Sequence, residues 1–141
     1  MSFEKIMAIG GTGLNAQLVR MNATASNLAN VGVVSGSEAT AFRAQRPVFS
    51  ALLDGETAGG YEDLAGGVRI ERIVVDTKPI EQIYEPGNSM ANEDGYVFSS
   101  NVSEIEELVD MLDASRAYQN NIEVITSAKD LMIKTLGLIK A

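Results

Sequence analysis

Four groups of residues are the ones that could do chemistry. Gly10-Gly11-Thr12-Gly13 has the glycine content of a phosphate-binding loop. Such a loop needs a strand before it and a Gly-Lys-Ser/Thr run or a dinucleotide spacing within it, so that successive amides converge on a phosphate. Neither is present, and the cluster reads as a hinge or a frayed helix start. Glu104, Glu106, Glu107, Asp110 and Asp113 could ligate a hard cation. Carboxylates at the start of a helix are equally what its dipole favours, and that reading needs no metal. Asn92-Glu93-Asp94-Gly95 has part of a calcium loop but lacks the rest of the ligand run and the distant glutamate, so it reads as a turn. A pair of carboxylates from the middle of the chain could serve a glycosidase. Nothing converges two of them on a pocket, and a β insert of about 60 residues is small for a substrate cleft.

Composition narrows the chemistry further. The chain of 141 residues has no cysteine and no histidine. This removes disulfides, thiolate nucleophiles, most zinc and iron sites, and the side chain most used for proton transfer near neutrality. No catalytic, cofactor-binding or metal-binding residue is assigned, and a non-enzyme without a cofactor is expected. Eleven Lys and Arg against 19 Asp and Glu leave a net charge of -8. That charge repels phosphate backbones and anionic headgroups, so no nucleic-acid partner is expected. No stretch holds about 18 consecutive apolar residues, and Met1-Ser2-Phe3-Glu4-Lys5-Ile6 lacks a charged region followed by an apolar one with a cleavage site. Neither direct membrane insertion nor a cleaved signal peptide is expected.

With catalysis set aside, the periodic segments carry the argument. From Ile6 to Asn30 the residues Leu14, Leu18, Met21, Ala25 and Leu28 step by four, three, four and three, a heptad stripe on one helix face. Glu4, Lys5, Arg20 and Glu38 are the only charges among the first 41 residues. A helix so poor in charge is covered on more than one face. The middle of the chain holds Pro47, Pro79, Pro86 and a glycine-rich run from Asp54 to Gly67, so it cannot be one long helix. Val68 to Val75 and Ile80 to Tyr84 read as strands, and Asp94-Gly95 before Tyr96-Val97-Phe98 reads as a hairpin turn. Ser103-Glu104-Ile105-Glu106 is a capping-box pattern that starts a second helix. Along it Met111, Ser115, Tyr118, Ile122, Ile125, Lys129, Met132, Leu136 and Ile139 form one stripe, with Val124, Leu131 and Leu138 beside it. Acidic residues crowd its start, and Lys129, Lys134 and Lys140 lie toward its end, as the macrodipole favours. A helix from Ile105 to Ile139 spans roughly 50 Å, longer than a chain of this size with a small sheet needs.

The fold class predicted is α+β: long N- and C-terminal helices in an antiparallel coiled coil or bundle, with a small β-rich insert between them. The divisions expected are 1–41 for the first helix and its loop, 42–100 for the insert and 101–141 for the second helix. A two-helix hairpin leaves apolar stripes uncovered, and other subunits are the natural cover.

Ala25-Ser26-Asn27-Leu28-Ala29-Asn30 resembles the N-terminal signature of the rod and hook axial proteins of bacterial flagella. Further segments follow in the order of the same family: Tyr84-Glu85-Pro86-Gly87, Ala91 to Val97, Asn101-Val102, and Met111 through Ala114-Ser115-Arg116-Ala117-Tyr118-Gln119-Asn120-Asn121. The resemblance runs from about Gly13 to Leu136 and is closest to subunits of the proximal rod. It implies a structural drive-shaft subunit in the periplasm, exported by the flagellar type III apparatus without cleavage. Implied partners are copies of itself, other rod proteins, the basal-body base and the export apparatus. It also implies terminal segments that are loosely ordered in the free subunit and pack as helices on assembly. The assembly interface expected comprises Leu14, Leu18, Met21, Ala25, Asn27, Leu28 and Asn30 on the first helix. On the second it comprises Met111, Ser115, Arg116, Tyr118, Ile122, Ile125, Met132, Leu136 and Ile139. The alternative from another class is a helical adaptor or export chaperone, which would hold one partner and stay folded at its ends.

Overall fold

A computed structural model describes residues 3–52 and 66–139 of the chain. Helix α1 (Phe3–Ala29) is followed by strands β1 (Val34–Ser35), β2 (Gln45–Ala51), β3 (Val68–Val75), β4 (Gln82–Tyr84) and β5 (Tyr96–Ser99), and helix α2 (Glu104–Ile139) follows them. This is the α+β arrangement predicted, with two long helices around a small sheet region. The expected strand at Val68 to Val75 is β3, and the segment Ile80 to Tyr84 contributes β4. Of the glycine-rich run from Asp54 to Gly67, only Gly66 and Gly67 fall within the described residues.

The described residues group into two compact units. One takes the front of α1 to Val19, the segment Val48 to Arg72, and α2 from Asp113 on; the other takes Arg20 to Pro47 and Ile73 to Leu112. In the first unit α1 begins at Phe3 and continues straight through the glycines that were expected to fray it. The reason is close approach. A Cβ on Gly10 would lie 2.8 Å from Ile125 Cγ1, and one on Gly13 would lie 2.9 Å from Asn121 Nδ2. The two glycines give up helix propensity so that α2 can sit against α1. Thr12 Oγ1 donates to the Ile9 carbonyl at 2.7 Å and accepts from the Val68 amide at 3.1 Å, tying the start of β3 to α1. Buried Leu52 exchanges backbone bonds with Gly66 and Gly67.

In the second unit a three-stranded antiparallel sheet has the order β1-β5-β4, with β5 in the centre. Val34 pairs with Ser99, Gln82 with Phe98 and Tyr84 with Tyr96. Val97 faces inward and is fully buried. The Tyr84 and Tyr96 rings meet edge to face at 5.1 Å on the opposite side of the sheet. The expected turn before β5 is present. Asn92 Oδ1 accepts from the Asp94 and Tyr96 amides, and Gly95 takes a φ of 82°. Asn101 Oδ1 accepts from the Ala44 amide while its Nδ2 donates to the Asp76 and Lys78 carbonyls. One side chain thus ties the lead-in of α2 to the backbone just before β2 and just after β3, beside the bond from the Asp76 amide to the Ala44 carbonyl. Helix α2 starts at the expected serine, with the Glu106 amide a long 3.5 Å from Ser103 Oγ. The reciprocal half of the capping box is not made: the Glu106 carboxylate instead accepts from Lys78 Nζ at 2.7 Å. An ammonium is a stronger partner for a carboxylate than a lone amide.

Candidate assembly interface

On α1 the buried residues are Gly10, Ala16, Ala23, Thr24 and Asn27, all small or polar. The larger residues of the expected stripe lie to the sides. Leu18 and Ala25 are exposed, and Leu14, Met21 and Leu28 are half-buried. Small residues take the inward seam because they let a neighbouring helix approach closely, which leaves the leucines beside it. On α2 the buried or half-buried line is Glu107, Met111, Ala114, Tyr118, Asn121, Ile125, Ala128 and Met132, stepping by four and three.

This line shares Met111, Tyr118, Ile125 and Met132 with the expected stripe. Between them it runs through Ala114, Asn121 and Ala128, where the sequence pattern ran through Ser115, Ile122 and Lys129. Ser115 is half-buried, while Arg116, Ile122 and Leu136 are exposed. The side chain of Ile139 lies outside the described residues. The neighbouring stripe of Val124, Leu131 and Leu138 is exposed, Leu138 to 80%. Near the start of α2, Ile105, Leu108, Val109 and Leu112 form a further exposed apolar face, with Ile105 77% exposed. Sequence reasoning missed it, although the spacing i, i+3, i+4, i+7 was the available signal.

Sequence reasoning also missed the charged core of the second unit. Glu107 is 0% exposed. Its Oε2 accepts from Asn27 Nδ2 at 3.0 Å, and its Oε1 lies 2.9 Å from Arg46 Nη2. The latter contact lacks aligned hydrogen-bond geometry, so its attraction is that of an ion pair. Arg46 also donates to Asp110 at 2.8 Å, with Asp76 and Glu106 each at 3.8 Å. Arg20 reaches Asp110 from α1 at 2.9 Å. Asn27 further accepts from the Gln45 amide at 2.8 Å and donates to the Gln45 carbonyl at 3.0 Å. Within this unit one buried amide therefore links the end of α1, the start of β2 and the start of α2. Asn30, the other asparagine of the motif, donates to the Ser26 carbonyl and stays local to the helix end.

Lys78 completes the cluster from the surface, and its hydrogen bond to Glu106 holds the ammonium above its usual range. Glu106, Glu107 and Asp110, weighed above as cation ligands, are thus occupied by Lys78, Arg46 and Arg20. The arrangement is structural: its carboxylates neutralise cations of the same chain. Among the described residues no helix is long and apolar enough to cross a membrane.

The motif at Asn27 closes a buried network at a helix junction, and the longest helix, α2, is apolar on several sides. Comparison with known proteins gives the class. Residues 7–36 match the family described as flagella basal body rod protein, and residues 93–138 match the flagellar basal body rod FlgEFG protein C-terminal family. The chain is 40% identical over 138 residues to the flagellar basal-body rod protein FlgC of Yersinia enterocolitica and to that of Salmonella typhimurium, covering 98% of each chain. It is 33% identical over 143 residues to FlgC of Borreliella burgdorferi, covering 94% of each. The chain belongs to the FlgC family of flagellar basal-body rod proteins. It is a structural rod subunit of the flagellar basal body and not an enzyme.

Proposed function

We propose that this rod subunit polymerises through its two terminal helices in the proximal rod and passes motor torque along the shaft, within the periplasm. Its neighbours in this reading are copies of itself, adjacent rod proteins and the basal-body base, reached after export through the type III apparatus without cleavage. The observation that carries it is the apolar surface of α2. Ile122, Val124, Leu131, Ile133, Leu136 and Leu138 are all exposed within one stretch of helix. Each such side chain contributes roughly 1.5–3 kcal/mol when buried. Several per contact are enough to offset the cost of ordering helix ends and to make a stiff joint. An adaptor or chaperone would show no such need for cover on several faces.

The test is Ile122→Asp produced in place of the native chain, followed by mass spectrometry of purified hook-basal bodies. A carboxylate cannot be buried there without a partner. The variant should be absent from basal bodies while the isolated chain keeps its sheet signature by circular dichroism. Normal rods containing the variant would refute polymerisation through this helix.

A further inference from the structure

The segments Tyr84 to Gly87 and Ala91 to Val97 build a surface that polymerisation through the terminal helices does not use. Tyr84 is 62% exposed, yet its ring is held on several sides. Gly95 has a φ of 82°, and a Cβ on it would lie 3.0 Å from Tyr84 Cε2 and 3.1 Å from Pro86 Cβ, so the turn before β5 closes directly on the ring and the proline. The Tyr96 ring stands against Tyr84 at 5.1 Å. The Glu85 amide donates to the Gly95 carbonyl and the Asn92 amide to the Tyr96 carbonyl, both at 2.9 Å. A tyrosine fixed in this way loses little freedom on meeting a partner, which makes it a better anchor than a loose surface side chain.

Charge identifies the partner. The unit made of Arg20 to Pro47 and Ile73 to Leu112 has four cations and ten carboxylates, a net charge of -6. All four cations are engaged: Arg20 by Asp110, Arg43 by Glu38, Lys78 by Glu106, and Arg46 by Glu107 and Asp110 with Asp76 at 3.8 Å. Five carboxylates of the unit have no ion pair among the described residues. One is Glu104 on α2. The other four are Glu81, Glu85, Glu93 and Asp94, and the stretch from Pro79 to Ser99 that carries them holds no cation. Glu85, Glu93 and Asp94 lie at the Tyr84 and Tyr96 end of the sheet, because those tyrosines pair and Glu85 bonds to Gly95. Glu85 accepts a hydrogen bond from Asn88.

We infer that this end of the sheet docks a basic segment of another basal-body protein, different from this chain. An arginine or lysine of that partner lies against the Tyr84 ring, and further cations meet Glu85, Glu93 and Asp94. A copy of this chain is the poorer occupant, since it brings a net charge of -8 to a region already acidic. The inference rests on membership of the basal body and not on polymerisation through the terminal helices, so either can fail alone.

Photocrosslinking in hook-basal bodies tests it. The full chain carries p-benzoylphenylalanine at Tyr84 or, in a second strain, at Gln82 on the same face of β4, and replaces the native chain. Purified basal bodies are irradiated and the adducts identified by mass spectrometry. The expected adduct joins the label to an arginine- or lysine-containing peptide of a different protein. Adducts only between copies of this chain would overturn the inference, as would none from either position in basal bodies that contain the labelled chain. Glu93→Lys with Asp94→Lys, added to the chain labelled at Tyr84, tests the charge. Both side chains are exposed and make no hydrogen bond or ion pair among the described residues, so the turn itself is left intact. Turning two exposed attractions into repulsions should lower the adduct yield about tenfold, the change that about 1.4 kcal/mol produces. Glu93→Gln with Asp94→Asn should give an intermediate yield. A yield that the charge reversal leaves unchanged would overturn the assignment of a basic partner.

Discussion

Arg46 is the side chain on which the second unit most depends, and Arg46→Met isolates its role. Methionine keeps most of the aliphatic length and removes the charge. Asp110 then keeps Arg20 at 2.9 Å, and Glu106 keeps Lys78 at 2.7 Å. Glu107, 0% exposed, is left with a single hydrogen bond from Asn27. Removing one member of a buried pair costs about 3–5 kcal/mol, because the remaining charge stays out of water. The guanidinium keeps 29% of its side-chain surface exposed, so solvent already screens part of the attraction and about 3 kcal/mol is the appropriate figure. With a urea dependence of about 2 kcal/mol per molar, the unfolding midpoint should fall by about 1.5 M. Far-UV circular dichroism of the purified chain measures this. Adding Glu107→Leu to Arg46→Met removes the stranded charge and should recover at least half of the loss. A midpoint shift below about 0.3 M for the single variant, or a double variant no more stable than the single, would refute the reasoning.

Other substitutions probe the remaining links. Asn27→Ala deletes three hydrogen bonds, two with Gln45 and one with Glu107, and should cost about 2–4 kcal/mol in the same urea assay. Gly10 and Gly11 should respond in opposite directions. Gly11→Ala meets nothing within 4 Å and should raise stability by up to about 1 kcal/mol through helix propensity. Gly10→Leu places its Cβ 2.8 Å from Ile125 Cγ1 and should lower stability by about 1–3 kcal/mol. Lys78 tests the surface pair. Its ammonium is held above the ordinary 10.5 by Glu106. The stability this lends is complete below 10.5 and is lost as pH rises through the raised value. Lys78→Met should therefore be slightly less stable than the native chain at neutrality, and the difference should close as pH rises through the raised value, read from urea midpoints across pH.

Periodicity was enough to locate the helices, because four- and three-residue steps of apolar side chains survive any tertiary arrangement. The same pattern misassigned the seam on α2 by one residue at alternate positions. It weighted Ile122 and Lys129 where the structure tucks in Asn121 and buries Ala128, since size in the sequence says nothing about which side another helix approaches. On α1 the glycines read as a frayed start are the residues that make close approach possible, a fact that appears only when Ile125 and Asn121 stand against them. The motif at Asn27 was legible as a family signature. Its physical role, two bonds to Gln45 and one to buried Glu107, was not.

Composition and spacing by themselves determined the non-catalytic character, the two terminal helices, the β3 strand and the turn before β5. They are local or summed properties: residue types, dihedral preferences and repeat lengths that one segment expresses without its neighbours. Tertiary structure alone decided that Glu107 is a core residue and not a solvated helix-start acid, that Arg46 and Lys78 occupy the carboxylates of α2, and that an apolar face is left outward between Ile105 and Leu112. Each of those depends on residues distant in the chain meeting in space, and a charge or an apolar side chain acquires its energetic meaning only from what is packed against it.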